Sequence, residues 1–198
     1  KKIIIVAHPD DEILFFSSLI HKVEKIIVCF GPSKDKTVSK GREKLQRHYP
    51  LPIIQWLNMK ESSTFLSANW KTPELTDTGL KVSRNREKYR ENFNTLVGKF
   101  KSILDKYDEI YTHNPWGEYG HEEHVSVFNA VCSAIGDRKK SIYVSSYISD
   151  RSSILFRIQK QRLSSNIFVR KIPRDFCNKI KDLYIKTECW TWDNDYEW

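Results

Sequence analysis

Ile3-Ile4-Ile5-Val6-Ala7-His8-Pro9-Asp10-Asp11-Glu12 is the stretch on which the fold turns. Its continuous apolar, largely β-branched opening predicts a strand buried on both faces, the pattern of a parallel sheet. His8-Pro9 ends the strand, and a helical pattern runs from Asp11 to about His21. Lys25 to Phe30 is β-rich again and stops at Gly31-Pro32. Strand, helix and strand in that order make a βαβ unit.

Outward from this unit, Ser39 to Tyr49 predicts a charged helix ended by Pro50, and Pro52 opens a third strand, Ile53 to Leu57. Lys60 to Lys81 lacks periodicity and is expected to be a long loop, of a length that suits a lid. Ser83, as N-cap, introduces a helix to about Lys106 with Tyr89, Phe93, Leu96, Val97, Phe100 and Leu104 along one face. A fourth strand, Glu109 to Thr112, leads into His113-Asn114-Pro115-Trp116-Gly117-Glu118-Tyr119-Gly120. A helix from about His121 to Ile135 follows, with Val125, Phe128, Val131, Cys132 and Ile135 as its apolar face. Ile142 to Ile148 and Ile154 to Ile158 predict later strands, and Pro173 opens a last helix to about Lys186. There is no repeat, low-complexity tract or linker. The expectation is a single α/β domain over residues 1–198, with a mostly parallel sheet flanked by helices.

The chain is 198 residues long and weighs 23.4 kDa, enough for a sizeable core. A formal net charge of +8 and a sequence pI of about 9.2 favour a substrate or partner with negative charge and say nothing of fold. A hydrophobic share of 39% with 13% aromatics and a mean hydropathy of -0.56 exclude the disordered class. Cys29, Cys132, Cys177 and Cys189 lie far apart without a CxxC pair, so reduced thiols in a cytoplasmic protein are expected. No stretch approaches the roughly 20 apolar residues of a membrane span; Ile13 to Ile20 already contains Ser17 and Ser18. Lys1-Lys2 runs straight into a strand, as in a chain preceded by a start residue or a short trimmed segment.

Open α/β sheets place ligands outside the C-terminal ends of their strands. There the first strand carries His8-Pro9-Asp10-Asp11-Glu12, and the fourth leads to Gly120-His121-Glu122-Glu123-His124. Metal-assisted hydrolysis requires three ligands drawn from His, Asp or Glu, an open position for water, and a separate carboxylate to move protons. The two clusters supply that set. His121 and His124, three apart, share a helix face. Adjacent Asp10 and Asp11 cannot point the same way in a turn, so one binds metal and the other faces substrate. Each cluster has a plainer reading: an Asp pair after a strand serves as an N-cap, and Glu122 and Glu123 complement a helix dipole. Their coincidence at one sheet edge favours the site.

Ala7-His8-Pro9-Asp10-Asp11-Glu12, with Thr112-His113-Asn114 and Gly117-Glu118-Tyr119-Gly120-His121-Glu122-Glu123-His124-Val125, resembles the zinc-dependent N-acetylglucosaminyl deacetylases of the LmbE and PIG-L family. The resemblance runs from Lys2 to about Ile135 and implies a Rossmann-like sheet and hydrolysis of the acetamide of an N-acetylated sugar. Carried over by position, it implies His8, Asp11 and His124 as zinc ligands and Asp10 as general base. It implies that His121 polarises the carbonyl or stabilises the oxyanion. Ferrous iron suits the same donor set. Glu123 departs from the Asp often found before the last His, and Lys40 or Arg42, before Glu43, stands for the family's usual Arg.

Amide hydrolysis at neutral pH needs hydroxide, a stabilised oxyanion and a protonated leaving nitrogen. Zinc lowers the pKa of bound water to about 7. Asp10 is expected to take the water proton and pass it to the amine, while a protonated His121 shares the negative oxygen with the metal. Substrate contacts are expected from Trp116, by its place before the second motif, and from Arg42 and Arg84. The basic run from Arg84 to Arg90 also suits a solvated helix face. Trp190, Trp192, Tyr196 and Trp198 are expected to pack back on the domain. With Lys60, Lys71, Lys81, Arg84 and Arg86 in or near the loop, the expected substrate is an N-acetylglucosamine-type conjugate bearing an anionic group. The competing reading is a basic nucleic-acid-binding module without catalytic activity. Because basic residues are mixed with acidic ones and no reader motif is present, no nucleic-acid partner is expected. The absence of a glycine-rich turn after the first strand sets aside a nicotinamide enzyme, and the three-residue spacing of the histidines sets aside an HExxH protease. The oligomeric state stays open.

Overall fold

The apolar run at the N-terminus becomes the central strand of the sheet. A computed structural model describes residues 1–198. It contains β1 (Lys2–Val6), α1 (Asp11–Phe16), β2 (Lys25–Phe30), α2 (Lys36–His48) and β3 (Ile54–Met59). A hairpin of β4 (Leu75–Thr76) and β5 (Gly79–Leu80) precedes α3 (Arg86–Leu104), β6 (Glu109–Thr112) and α4 (Glu122–Ile135). β7 (Ser141–Val144), α5 (Ser153–Gln159) and α6 (Arg174–Lys186) complete the order. The main sheet runs β3-β2-β1-β6-β7, and every pair in it is parallel.

Side chains alternate across a strand, so β1 feeds two cores. Ile3 and Ile5 pack with Phe93, Leu96 and Phe100 of α3 and Val127 and Val131 of α4. Ile4 and Val6 pack on the other face with Ile13 and Phe16 of α1, Leu45 of α2, and Ile180 and Tyr184 of α6. Cover on both faces is the physical reason for the unbroken apolar run. The chain winds outward from β1 to β2 and β3, then crosses to β6 on the other side of β1. That reversal opens a crevice beyond the ends of β1 and β6, where His8 and His113 begin their loops.

The expected apolar faces of α3 and α4 are buried at Tyr89, Phe93, Leu96, Phe100 and Leu104, and at Val125, Phe128, Val131 and Ile135. Ile154 to Ile158 is helical, in α5, rather than a strand. Leu155 and Gln159 are buried one turn apart, and an apolar run this short fits either period. The strand expected to reach Ile148 stops at Val144. Asn85, not Ser83, occupies the N-cap of α3, with φ 51, and its side chain donates to the Ser62 carbonyl at 2.9 Å. All four cysteines are free, and no helix is long and apolar enough to cross a membrane.

Candidate metal centre

Between β1 and α1 the backbone turns sharply, with Asp10 at the N-cap in the left-handed region, φ 100. Its N–H donates to Glu12 Oε2 at 3.0 Å and to the Tyr184 hydroxyl at 2.7 Å. Glu12 also accepts from the hydroxyls of Tyr49 and Tyr184, both at 2.7 Å. The last residue of the first motif therefore builds the turn. Beyond β6, His121 is the N-cap of α4, its Nδ1 accepting the Glu123 N–H at 3.2 Å.

Three side-chain atoms meet where these segments converge. His8 Nδ1 lies 3.3 Å from His124 Nε2, His124 Nε2 lies 3.4 Å from Asp11 Oδ2, and His8 Nδ1 lies 3.5 Å from Asp11 Oδ2. The outer nitrogens face carboxylates: His8 Nε2 is 2.9 Å from Glu123 Oε2, and His124 Nδ1 is 2.9 Å from Glu118 Oε2. An ionised carboxylate only accepts, so in the neutral rings that a metal requires the outer nitrogens carry the protons and the inner ones present lone pairs. Three electron-rich atoms this close repel unless positive charge lies among them. Donors about 2.0–2.1 Å from a tetrahedral ion stand about 3.3 Å apart, so the set fits an ion the size of zinc. Burial would lower the His8 pKa, but Asp11 and Glu123 hold it up at about 10, so a metal ion at this point would displace the proton on His8 Nδ1. His113 Nε2 is also 3.3 Å from Asp11 Oδ2. Its lone pair is spent on the Ala7 N–H at 2.8 Å.

Asp10, 3% exposed, accepts the Thr191 hydroxyl on Oδ2 at 2.6 Å. Burial and the Asp11 charge push its pKa up to about 8. For His121, burial together with His8 and His124 drives the pKa well below the usual imidazole value. The protonated His121 expected from sequence is thus replaced by a neutral ring. With Nδ1 accepting a backbone N–H, its proton sits on Nε2, and the positive end of the α4 dipole opposes a second one.

Three glutamates fasten the surroundings. Fully buried Glu118 takes the Nδ1–H groups of His113 at 3.0 Å and His124 at 2.9 Å, the Asn114 N–H at 2.9 Å and the Ser145 hydroxyl at 2.6 Å. Burial would raise its pKa, but His113 and His124 hold it down at about 2. Glu122 accepts the N–H groups of Ser67 and Ala68 at 2.8 Å and Trp70 Nε1–H at 3.2 Å. Glu123 accepts the Ser62 N–H and hydroxyl, each at 2.6 Å. The segment expected as a lid is therefore stitched to the start of α4. Glu118 and Thr191 escaped the sequence reading: one is a lone acid in a glycine-rich turn, and the other is a threonine near the C-terminus.

The expected substrate contacts are not gathered at the donors. Trp116 is 4% exposed and sits in a core with Trp70, Leu80, Val125 and Leu155, its indole N–H bonded to the Tyr147 carbonyl at 2.7 Å. That burial corrects its expected role, because no ring face is open to a sugar. Arg84 is exposed and donates to the carbonyls of Ser63 and Phe65, outside the cluster. Arg42 is buried and donates to the Gly31 carbonyl at 3.0 Å and to the Glu61 carboxylate. Glu61 lies 4.0 Å from His8 Nε2, which sets Arg42 at the edge of the centre. Trp190 and Trp198 pack on the core of α1, α2 and α6, and Trp192 stands edge-on to Tyr119, ring centres 4.9 Å apart.

The family model described as PIG-L, GlcNAc-PI de-N-acetylase, matches residues 3–135, which include all the donor atoms above. The uncharacterized protein L374 of Acanthamoeba polyphaga mimivirus is 25% identical over 134 residues, covering 64% of this chain and 54% of that protein. The match thus spans about half the length of that curated relative. A crystal structure of a conserved protein from Thermus thermophilus, TT1542, aligns over 94% of this chain and 78% of its own, with 12% identity and a TM-score of 0.46. A crystal structure of a deacetylase–bog complex in the biosynthesis pathway of teicoplanin aligns over 96% and 84%, with 12% identity and a TM-score of 0.49.

Proposed function

This chain belongs to the PIG-L family, and from that premise we propose that it is a metal-dependent hydrolase removing the N-acetyl group from an N-acetylglucosamine-type sugar or glycoconjugate. The observation that carries the reading is the triangle of His8 Nδ1, Asp11 Oδ2 and His124 Nε2, with a second, unligated carboxylate at Asp10. Those three atoms would hold the ion, zinc first and ferrous iron as the alternative. When bound, such an ion makes water acidic near neutral pH and polarises an amide carbonyl.

The chain's own groups do the rest. Asp10 accepts the proton of the attacking water at Oδ1, the oxygen left free when Thr191 occupies Oδ2, and returns it to the departing nitrogen. His121, neutral and protonated at Nε2, donates to the acetamide oxygen as negative charge develops there. Glu123 and Glu118 keep the outer imidazole protons in place, so the inner lone pairs stay aimed at one point. Arg42, buried and bonded to Glu61 at the rim, lends positive charge near Asp10 rather than a free guanidinium to the substrate. The reading takes residues 1–198 as one catalytic domain, supported by the packing of α6 on the same core as α1. An anionic group on the substrate rests on the net charge of +8. Lys81 is paired with Glu74, and Arg84 and Arg86 are engaged by backbone carbonyls.

The test is a screen of N-acetylated sugars, nucleotide sugars and lipid-linked sugars for acetate release by zinc-loaded and chelator-stripped protein. Release that vanishes on stripping and returns with zinc supports the reading; no release from any of them overturns it. Comparing a neutral N-acetylglucosaminide with its phosphate-bearing counterpart, at low and high salt, decides the anionic group.

A further inference from the structure

Residues beyond 135 lie outside the stretch matched by the family model, yet two of them grip Asp10. The left-handed backbone of Asp10, φ 100, persists only where its surroundings hold it. Tyr184 of α6 supplies that hold, its hydroxyl accepting the Asp10 N–H at 2.7 Å and donating to Glu12 Oε1 at 2.7 Å. Thr191 holds the side chain, its hydroxyl 2.6 Å from Asp10 Oδ2. Toward the ionised Asp10 that serves as base, Thr191 is the donor.

The segment that delivers Thr191 is itself fixed. After α6 the Thr187 hydroxyl bonds the Leu183 carbonyl at 2.8 Å. Glu188 turns through the left-handed region, φ 62, and the Cys189 N–H closes on the Tyr184 carbonyl at 3.1 Å, a common way to end a helix. Cys189 is fully buried. Gly41 of α2 packs so closely on this turn that a Cβ there would overlap the Thr187 carbonyl. Thr191 thus follows a buried anchor by two residues, which limits where its hydroxyl can reach.

We propose that Thr191 is a positioning residue for the general base: its bond to Oδ2 sets the rotation of the Asp10 carboxylate so that Oδ1 is the oxygen presented to the reacting water. The proposal rests on the reading of Asp10 as general base. Thr191→Val keeps the shape and deletes the hydroxyl, whereas Thr191→Ser keeps the hydroxyl. Zinc-loaded parent and variants are compared for kcat and KM on the best substrate of the screen, for zinc content and Tm, and by crystal structures. Thr191→Val is expected to lose about 10- to 100-fold in kcat, the scale of a misplaced reacting group, with KM, zinc content and Tm at parental values. Its crystal is expected to show the Asp10 carboxylate rotated or split between orientations, and Thr191→Ser to restore both. Parental kcat in Thr191→Val, equal impairment of both variants, or an unmoved Asp10 carboxylate in the Val crystal overturns the proposal. If the parent itself releases no acetate, the deacetylase reading falls, and the crystal comparison alone decides whether Thr191 sets the carboxylate.

Discussion

His124 Nδ1 stands 2.9 Å from Glu118 Oε2, and that carboxylate is fully buried. Holding the proton on Nδ1 turns the Nε2 lone pair toward Asp11 and His8. Glu118→Gln keeps the volume and removes the charge that fixes this tautomer. Zinc affinity is expected to fall about 10- to 100-fold, the usual effect of losing such a partner. Competition with a chromophoric chelator measures it, and unchanged affinity would mean that the ring is oriented by packing alone.

His124→Ala is expected to abolish stoichiometric zinc binding, while His121→Ala retains it. Elemental analysis of freshly purified protein separates the two. Zinc lost from the His121 variant and kept by the other would exchange their roles.

Asp10→Asn should keep zinc and fold yet lose about 10²- to 10⁴-fold in turnover, because an amide accepts no proton. Asp10 works as a base only when ionised. Activity should therefore rise with pH through its pKa, which burial and Asp11 push up to about 8 without a cation. A bound cation favours the ionised form, so the rising limb of the pH–kcat profile should lie below that value and vanish in the variant. His121, already neutral, should add no limb of its own; His121→Ala should lower the whole profile about 10²- to 10³-fold.

Trp116→Ala should destabilise the chain by about 3–5 kcal/mol, as for other buried aromatics cut to alanine. Trp116→Phe should leave KM unchanged. Urea unfolding and steady-state kinetics are the measurements. A raised KM with undiminished stability would return Trp116 to the substrate.

Glu122→Ala leaves the Ala68 amide and the Trp70 indole N–H without their acceptor and the Ser67 amide with only the Thr64 carbonyl. Each lost bond to a charged group is worth about 1.5–3 kcal/mol, so hydrogen exchange should accelerate across residues 62–70 first. Uniform exchange in parent and variant would show that the segment is held by its apolar contacts instead.

Much of this architecture was legible because its signals are local. An apolar run of single-strand length, a helix face at three-to-four-residue spacing and a proline stop are written in adjacent residues, and β1, α3, β6 and α4 follow them closely. The Ile154 to Ile158 stretch failed the same test because strand and helix can each bury part of so short a run. The N-cap position of α3 falls on Asn85 rather than Ser83, and the Asn85 side chain bonds the Ser62 carbonyl of the preceding loop instead of capping the helix.

The sequence by itself determined the doubly covered sheet and put the two clusters after its first and fourth strands, at the edge where such sheets hold ligands; that β1 and β6 are neighbours, so that the clusters share one crevice, was decided by the fold. Only the tertiary structure decided which nitrogen of each imidazole faces inward, that Glu118 and Glu123 hold the other, that Trp116 is core, and that Thr191 reaches Asp10 from the far end of the chain. These are hydrogen bonds and contacts between segments remote in sequence. Their geometry depends on how whole elements pack, and no local pattern of residues encodes it.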